Sequence, residues 1–472
     1  MIWLDRARGA YVRSPPLLRR VLRPLMGLVP ARLKFGPTYR HWRVDIARAG
    51  SDPVFAADQH LASLRALLAK ARAGSPFYCE LIEKAFGSQF DPNTIMLGDL
   101  GRLPILDKAA LRAAGEAALA APRGDVDHAE TSGSNAEAPF HFYLDKDRST
   151  REMAFVYDVW SRVGFSESEA RVCLRGFGLD PHGLNIHDWD PALRELRLSV
   201  FPMTTRDAAT YLDLIDARGV QYIYGYASAI ELFCRQMLRL GRAPKRPIKG
   251  IMPISEPVYD HQRRVIASAL GNPPIACFYG LSEKVLFAAE VPGTAGIYEF
   301  NPLYGLAELV DHKGAPVTEV GSEGRLVGTG FLSTGMPFIR YETGDFARLV
   351  QLPTPGNGQR LRVSDLTPRR KPSFLVARDG SRVVTTDLTP ENWNAMGGIA
   401  EFQFYQDQPG EVLIRYVLGE GGQPEDAARM ASELESRCHR RICFKTQLVD
   451  QIATGRHGKR AFIDQRLDIA RY

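Results

Sequence analysis

The sequence predicts an α/β protein. A large N-terminal domain of parallel-sheet α/β layers carries a small barrel-like β subdomain, and a small α+β C-terminal domain follows. The chain of 472 residues is longer than one hydrophobic core usually supports. Residues 151–300 alternate helical and strand-like segments, which is typical of a parallel sheet covered by helices. Residues 297–366 instead contain short strands and glycine-rich turns, and residues 367–371, with a proline and three consecutive cations, are typical of a linker.

The predicted domain boundaries follow from these changes in composition. We assign residues 51–368 to the large domain and residues 369–472 to a small mobile C-terminal domain. Residues 1–50 form a basic N-terminal arm, with eleven Lys and Arg against Asp5 and Asp45. An arm of this charge is a candidate for peripheral contact with an anionic membrane surface. A solvated segment that wraps the large domain is the more ordinary alternative.

The overall composition narrows the class of protein. Hydrophobic residues make up 45% and charged residues 24% of the chain, and no apolar run approaches the length of a membrane span. The six cysteines lie far apart without a CxxC pair, which favours reduced thiols in the cytoplasm over a zinc site. We expect a cytoplasmic protein, or one at the inner face of the membrane, without a nucleic-acid partner. A homodimer stays open.

The elements of the large domain follow from periodicity. Leu61, Leu64 and Leu67 predict a helix over residues 53–72, and Asp107 is placed as the N-cap of the alanine-rich helix after it. Strands are then expected at 171–175, 220–224 and 251–254, with helices at 208–218, 229–240 and 259–270. Such parallel sheets bind ligands at the carboxyl ends of their strands, where residues 255–257 and 279–283 are both expected.

The C-terminal part has the pattern of a small α+β domain. A hairpin is predicted around Asp379 and Gly380. Strands at 401–405, 411–418 and 442–449 and a helix at 424–437 follow it.

Two stretches of the large domain carry candidate chemistry. Residues 279–283, YGLSE, place Glu283 at a turn after an apolar run, where a carboxylate suits a hard cation such as Mg²⁺. Thr131, Ser132, Gly133 and Ser134 offer hydroxyl and backbone N–H donors that can cradle a phosphate. For each stretch an ordinary connecting turn is the alternative. Glu137 opposes phosphate binding in the second stretch, which also lacks a lysine.

Two further stretches offer groups that recognise a nucleotide. Asp345, in RYETGD at 340–345, follows a glycine turn and suits hydrogen bonding to a ribose diol, with a simple Gly-Asp turn as the alternative. Lys459, in GRHGK at 455–459, is either part of a solvated basic loop or a mobile cation delivered to an anion.

In this order and spacing, the motifs resemble the adenylate-forming superfamily. The similarity is to its phenylacetate–CoA ligase-like branch, which includes the CapK capsule-biosynthesis proteins. YGLSE is similar to the family's YGxxE and RYETGD to its RYRTGD, while TSGS at 131–134 begins like its phosphate loop. GYASA at 225–229 is similar to GYPSA, and GRHGK to the family's closing lysine motif.

The resemblance implies a two-step reaction that uses ATP and Mg²⁺. A small-molecule carboxylate would attack the α-phosphate to give an acyl-adenylate, and CoA or another acceptor or carrier would then take the acyl group. In the implied roles, the phosphates are cradled by Thr131, Ser132, Gly133 and Ser134, and Glu283 holds Mg²⁺. The adenine is flanked by Ser255, Glu256, Tyr279 and Gly280, and Asp345 binds the ribose hydroxyls. Arg370 would bind ribose or act at the hinge, and Lys459 would reach the carboxylate and α-phosphate. The C-terminal domain would rotate about residues 367–373 between the two half-reactions.

The departures from the family pattern support a second hypothesis. The family's TTGKP is replaced by SNAEAP at 134–139, and residues 369–373 lack the acidic residue of the family's hinge motif. Lys284, beside Glu283, is a candidate to replace the missing cation. The alternative function is a catalytically weakened, nucleotide-binding scaffold in polysaccharide or envelope biosynthesis. A thiol enzyme that uses Cys277 is a third and less favoured hypothesis.

The acid is not identified by the sequence. Trp160, Tyr226 and Phe278 are candidates for an apolar or aromatic acyl pocket, and each suits a hydrophobic core equally well.

Overall fold

The computed structural model describes most of the chain in separate ranges. These are residue 18 and residues 35–130, 140–175, 186–200, 203–367, 374–384, 399–419, 422–452 and 463–468. The predictions for residues 131–134, Glu137, Arg370, Lys459 and nearly all of the first 34 residues lie outside the described residues.

Four helices open the large domain. They are α1 (Gly36–Ser51), α2 (Pro53–Gly74), α3 (Pro76–Phe86) and α4 (Lys108–Ala114). Helix α2 confirms the helix predicted from leucine spacing, and Leu64, Leu67 and Leu68 of its apolar face are buried. The Asp107 carboxylate accepts a hydrogen bond from the Ala110 N–H at 2.8 Å, which confirms the predicted N-cap.

Helix α1 lies within the stretch that was predicted to be a basic arm. Its Tyr39, Ile46 and Ala49 are buried in a cluster that also contains Phe155 and Tyr157 of a later helix, α5 (Arg148–Ser161). Residues 36–51 therefore pack as part of the large domain, because they bury apolar side chains in its core.

A hairpin and a five-stranded sheet form the next layer. The hairpin pairs β1 (Val126–Glu130) with β2 (His141–Asp145). The sheet has the order β4-β5-β3-β6-β7 and consists of β3 (Arg171–Leu174), β4 (His187–Asp190), β5 (Glu195–Leu198), β6 (Tyr222–Tyr226) and β7 (Gly250–Ile254). All neighbouring strands are parallel except β4, which is antiparallel to β5.

Helices cover both faces of this sheet. On one face Val172 and Leu174 of β3 pack in a cluster with residues of α6 (Thr205–Arg218), α7 (Ala227–Leu240) and α8 (Asp260–Leu270). On the other face Cys173 of β3 packs with α5. The sequence predicted this arrangement, since strands buried on both faces are typical of parallel sheets.

A seven-stranded antiparallel sheet completes the large domain. Its order is β11-β12-β13-β14-β10-β9-β8, from β8 (Phe278–Gly280), β9 (Phe287–Glu290), β10 (Tyr298–Phe300), β11 (Gly305–Val310), β12 (Glu323–Gly330), β13 (Tyr341–Gln351) and β14 (Arg362–Thr367). The strand before Tyr279 thus belongs to this sheet and not to the parallel one, which corrects the prediction. Only Ile275, three residues before β8, forms an isolated parallel bridge to Ile251 of β7.

The described C-terminal residues form a separate α+β unit with its own core. The predicted hairpin is present as β15 (Phe374–Val376) and β16 (Arg382–Val384). The sheet β19-β18-β17-β20 contains β17 (Ile399–Gln408), β18 (Glu411–Leu418), β19 (Cys443–Leu448) and β20 (Ile463–Gln465). Helix α9 (Pro424–Arg437) packs Met430 and Leu434 into the same core as the sheet.

In the described part of the chain, no helix combines the length and the apolar character needed to cross a membrane.

Candidate functional site

Two carboxylates and two phenols meet where β13 passes the turn after β8. The Tyr279 hydroxyl donates a 2.6 Å hydrogen bond to Asp345 Oδ2, and the Tyr341 hydroxyl donates a 2.7 Å hydrogen bond to Glu283 Oε1. All four residues are buried. Each chain segment therefore contributes one phenol and one carboxylate, and the two segments are joined by reciprocal hydrogen bonds.

The backbone of β13 explains why its polar groups share one face. Burial alternates along the strand, so that Tyr341, Thr343 and Asp345 are buried while their neighbours are more exposed. A β-bulge interrupts the pairing of β12 with β13 at this point. The Thr343 hydroxyl donates to the Leu326 carbonyl at 2.9 Å and accepts a 3.1 Å hydrogen bond from the Asp345 N–H. Bulges of this kind re-aim side chains next to functional sites.

The electrostatics of the site follow from its burial. Burial, together with the Asp345 carboxylate, raises the pKa of Tyr279 well above its usual value, and the nearby Glu283 carboxylate adds to the shift. Tyr279 therefore remains a neutral hydrogen-bond donor at physiological pH.

A lysine that the sequence analysis missed completes the cluster. Lys108 Nζ lies 3.4 Å from Glu283 Oε1, and the lysine side chain is only 18% exposed. Lys108 is the first residue of α4, and the segment before α4 is fixed against β13. There the Leu106 N–H donates to the Arg340 carbonyl at 2.9 Å, and the Leu106 carbonyl accepts from the Glu342 N–H at 2.8 Å. A charged residue two positions after the extended LPIL segment at 103–106 is the only sequence signal that could have indicated this lysine.

Lys284 does not occupy the position suggested for it. Its backbone has a φ of 57°, and its Nζ lies 2.8 Å from Glu152 Oε1 on α5. The hypothesis that Lys284 replaces the missing loop cation is therefore not supported, because the left-handed backbone directs its side chain to another carboxylate. Lys108 holds the place next to Glu283.

Ser255 and Glu256 lie at the carboxyl end of β7, as predicted. Ser255 has a φ of 60°, and the Glu256 carboxylate accepts hydrogen bonds from the Ser228 N–H at 2.9 Å and the Ser228 hydroxyl at 3.1 Å. Glu256 therefore binds the N-terminus of α7. Since Ile275 and Ile251 form a parallel bridge, the segments that lead to Tyr279 and to Ser255 run side by side toward the same edge. Gly280, next to Tyr279, is exposed.

The candidate pocket residues have different surroundings. Trp160 is 2% exposed and packs edge-on against Tyr224, with the ring centroids 5.1 Å apart. It therefore belongs to the aromatic core on the face of the parallel sheet that α5 covers. Phe278 stacks on Phe287, with the ring centroids 5.0 Å apart. Tyr226 is half-buried at the carboxyl end of β6.

The Cys277 hypothesis is disfavoured by its surroundings. The thiol is buried, and burial together with Glu290 raises its pKa to about 12. A thiol in this state is not a nucleophile at neutral pH.

The residues present fit a magnesium ion only together with substrate phosphates. Across the ranges that the structure describes, no group of three or more His, Cys, Asp or Glu side chains is arranged to hold a metal ion. Glu283 supplies one buried carboxylate, and Mg²⁺ is usually held by one or two carboxylates plus phosphate oxygens.

Comparisons with known proteins match the C-terminal part of the chain to a domain family and most of the chain to a distant relative. Residues 375–466 match the CapK C-terminal domain family. Protein CapK of Staphylococcus aureus is 22% identical over 396 residues, which cover 83% of this chain and 85% of that protein.

Similar solved structures include 2-hydroxyisobutyryl-CoA ligase in complex with 2-HIB-AMP and CoA. It aligns over 87% of this chain and 90% of its own, with a TM-score of 0.52 and 17% identity. The same ligase in its postadenylation state with R3-HIB-AMP aligns with a TM-score of 0.50, equal coverage of both chains and 17% identity. At this identity the likeness establishes a shared fold.

Proposed function

Because residues 375–466 belong to the CapK C-terminal domain family and the chain resembles the adenylate-forming superfamily in sequence and fold, we propose that this protein activates a carboxylic acid with ATP. The product is an acyl-adenylate, from which the acyl group passes to CoA or another acceptor. The observation that carries this proposal is the buried network of Glu283 and Asp345 with Tyr341 and Tyr279. It unites the two carboxylates that the motifs assign to the metal and to the sugar.

The proposed nucleotide lies along the edge shared by β7 and the β8 turn. Tyr279 and Gly280, with Ser255 and Glu256, flank the adenine. The Asp345 carboxylate, held in place by the Tyr279 hydroxyl, accepts hydrogen bonds from the ribose diol. This binding needs no movement of β13, because its polar face is already fixed by the Thr343 hydrogen bonds.

The triphosphate lies toward Glu283 and Lys108. Glu283, together with the phosphate oxygens, would hold a Mg²⁺ ion, which when bound would neutralise charge on the pyrophosphate. The Lys108 ammonium provides a second positive charge, fixed in place before the substrate arrives. Lys108 therefore supplies the cation that the family pattern places in the phosphate loop and that residues 131–139 lack.

In the first step a carboxylate oxygen of the acid bonds to the α-phosphorus while the bond from that phosphorus to the bridging oxygen breaks. Pyrophosphate leaves with that electron pair. In the second step the acceptor, a thiol in the case of CoA, attacks the acyl carbon, loses its proton and displaces AMP. We assign the cation that meets the carboxylate and α-phosphate in the first step to Lys459, four residues before β20 in sequence. In this proposal Arg370 binds the ribose or acts at the hinge. The C-terminal domain rotates about residues 367–373 between the two steps.

The altered phosphate loop favours a second candidate function. Glu137 and the absent loop lysine fit a protein that binds a nucleotide weakly and scaffolds envelope or polysaccharide assembly. In that role the basic N-terminal arm contacts the inner, cytoplasmic face of the membrane.

Acid-dependent exchange of labelled pyrophosphate into ATP tests both functions. We expect exchange with at least one acid from a panel of acyl and aryl acids, and a loss of about 100-fold in Glu283→Gln, because one preorganised electrostatic group is worth that much. Asp345→Asn should raise the KM for ATP. Glu319→Gln, at an exposed carboxylate, is the matched control. Absence of exchange with every acid, together with an ATP-induced thermal shift, would leave the nucleotide-binding scaffold standing, and absence of both would exclude both functions.

A further inference from the structure

Arg340, the first residue of the RYETGD motif, is not used by the reaction proposed above. It comes directly before β13, is 5% exposed and has a left-handed backbone with a φ of 48°. An arginine in this conformation is uncommon, and such strain persists only where the surrounding structure holds it. The Arg340 N–H donates a 3.0 Å hydrogen bond to the Thr329 hydroxyl of β12, which fixes the backbone on one side.

The guanidinium of Arg340 holds a segment that is far away in sequence. Its Nη1 donates to the Leu103 carbonyl at 2.6 Å and to the Gly101 carbonyl at 3.1 Å. Its Nε and Nη2 donate to the Glu308 carboxylate of β11 at 2.9 to 3.2 Å, and the Glu308 side chain is only 18% exposed. The carboxylate therefore orients the planar guanidinium toward residues 101–103.

The backbone of Arg340 binds the other end of the same segment. The Arg340 carbonyl accepts a 2.9 Å hydrogen bond from the Leu106 N–H. Asp107 follows as the N-cap of α4, and Lys108 is the first residue of that helix. Arg340 thus contacts residues 101–106 at both ends, and the second contact lies two residues before Lys108.

The place of the Lys108 ammonium depends on where the start of α4 is held. A lysine ammonium ends a flexible four-carbon stem, and in this protein it lies 3.4 Å from Glu283 Oε1. The rest of α4 is held by apolar packing, since Leu111 is buried in the core. Misplacement of a catalytic group by about 1 Å can cost about 100-fold in rate. Contacts that fix the segment before Lys108 therefore bear on the reaction.

We propose that Arg340 is a positioning residue for Lys108. Together with Glu308 it holds residues 101–106 against β13 and thereby places the Lys108 ammonium beside Glu283 and the triphosphate. The inference rests on the proposed adenylation, because Arg340 acts on the reaction only through Lys108. An ordinary buried ion pair would stabilise the large domain without any specific effect on Lys108, and the experiments distinguish these two cases.

A stability cycle tests the positioning without any catalysis. Urea unfolding of wild type, Lys108→Gln, Glu283→Gln and the double mutant gives the coupling between the two charges. The cycle is repeated in Arg340→Asn, because asparagine tolerates the left-handed backbone and the change removes only the guanidinium. We expect the coupling to fall by more than about half in this background. An undiminished coupling, or no coupling in wild type, would overturn the inference.

Pyrophosphate exchange tests the consequence for the reaction. Arg340→Asn should lower kcat for exchange about 10- to 100-fold, the cost of a misplaced catalytic group. In the Lys108→Gln background the same substitution should cost less than about threefold, because the lysine that it positions is gone. Arg340→Lys keeps the charge but not the planar fork, so its rate should be intermediate. An equally large loss in both backgrounds would indicate a general structural role and would overturn the inference.

Arg325 is the matched control. It lies on β12 next to β13, and its guanidinium binds the Glu342 carboxylate at 2.9 Å and the Asp311 carbonyl, neither of which belongs to residues 101–106. Arg325→Gln should leave both the coupling and the exchange rate within about twofold of wild type, since independent sites act additively. Losses as large as those of Arg340→Asn would contradict the specific effect on Lys108.

A second variant serves if Arg340→Asn does not fold. Removing only the arginine leaves Glu308 as an unpaired, mostly buried carboxylate, which is costly. Arg340→Asn combined with Glu308→Gln removes both charges and takes the place of the single variant in both measurements, with the same expected outcomes.

Failure of adenylation itself is recognised separately. If no acid supports exchange by wild type, the proposed function fails, and the stability cycle alone decides on Arg340. A coupling between Lys108 and Glu283 that is lost in Arg340→Asn supports the positioning role. A coupling of unchanged size excludes it.

Discussion

Replacing Lys108 by glutamine distinguishes two roles of this lysine, binding the phosphates of the nucleotide or only neutralising Glu283. The ammonium lies 3.4 Å from Glu283 Oε1, and at an effective dielectric constant near 20 the attraction between the two charges is about 5 kcal/mol before desolvation. Removing the lysine leaves a buried carboxylate that keeps its hydrogen bond from the Tyr341 hydroxyl but loses the nearby positive charge. We therefore expect a less stable apoprotein, because unpairing a buried charge is costly.

Catalysis distinguishes the two roles of Lys108. If the ammonium faces the triphosphate, Lys108→Gln should lower the exchange rate by about 100-fold, since that is the usual worth of one preorganised group in an excluded site. Lys313→Gln, at an exposed lysine, controls for the change in net charge. The reasoning is refuted if exchange by Lys108→Gln, measured on protein shown to be folded, stays within twofold of wild type.

A double mutant strengthens the test. If Lys108 serves only to neutralise Glu283, the second substitution Glu283→Gln removes the unpaired charge and restores the stability lost in Lys108→Gln. If both residues act on the nucleotide, the double mutant exchanges pyrophosphate no faster than the less active of the two single mutants. The coupling free energy from the cycle reports which arrangement holds.

Two other predictions concern Tyr279 and a buried histidine. Tyr279→Phe removes the hydrogen bond that fixes Asp345, so the KM for ATP should rise and the free energy of unfolding should fall by about 1–3 kcal/mol; unchanged ATP affinity in calorimetry would separate Asp345 from the ribose. Burial lowers the pKa of His60 from 6.5 to about 4, so the unfolded chain takes up a proton between these values while the folded protein does not. Stability from this group is complete above pH 6.5 and falls as the pH drops, by about 2 kcal/mol at pH 5. In urea unfolding, His60→Asn should show a smaller difference between pH 7 and pH 5, and an equal difference would contradict the assignment.

The sequence predicted the parts of the site that lie in short, distinctive motifs. Glu283 and Asp345 were named separately from their turns, and the structure joins them through Tyr341 and Tyr279. The reciprocal pairing itself could not be predicted, since it depends on the bulge in β13 and on contacts between segments about sixty residues apart. A side chain's partner across such a distance is decided by tertiary packing.

Other features were hidden for related physical reasons. The three residues of β8 are too few to show a periodicity, so the strand before Tyr279 was assigned to the parallel sheet. Lys108 approaches Glu283 only because the Leu106 backbone pairs with β13. Lys284 adjoins Glu283 in sequence, yet its left-handed backbone carries its ammonium to Glu152. Lys284 is therefore adjacent to Glu283 in sequence but binds elsewhere, whereas Lys108 is distant in sequence but lies beside Glu283.

The composition of the buried cluster bears on the choice between enzyme and scaffold. Glu283 and Asp345 are both buried carboxylates. Burying such groups costs free energy, and apolar residues of similar size often stabilise a fold equally well or better. A purely structural protein gains nothing from two carboxylates, two phenols and a lysine at one sheet edge. A site that must hold a metal–nucleotide complex requires them, and local departures from optimal packing are expected at such sites. The buried cluster therefore favours a nucleotide-binding site over a purely structural role, and acid-dependent pyrophosphate exchange that is lost in Glu283→Gln is the measurement that separates adenylation from the scaffold function.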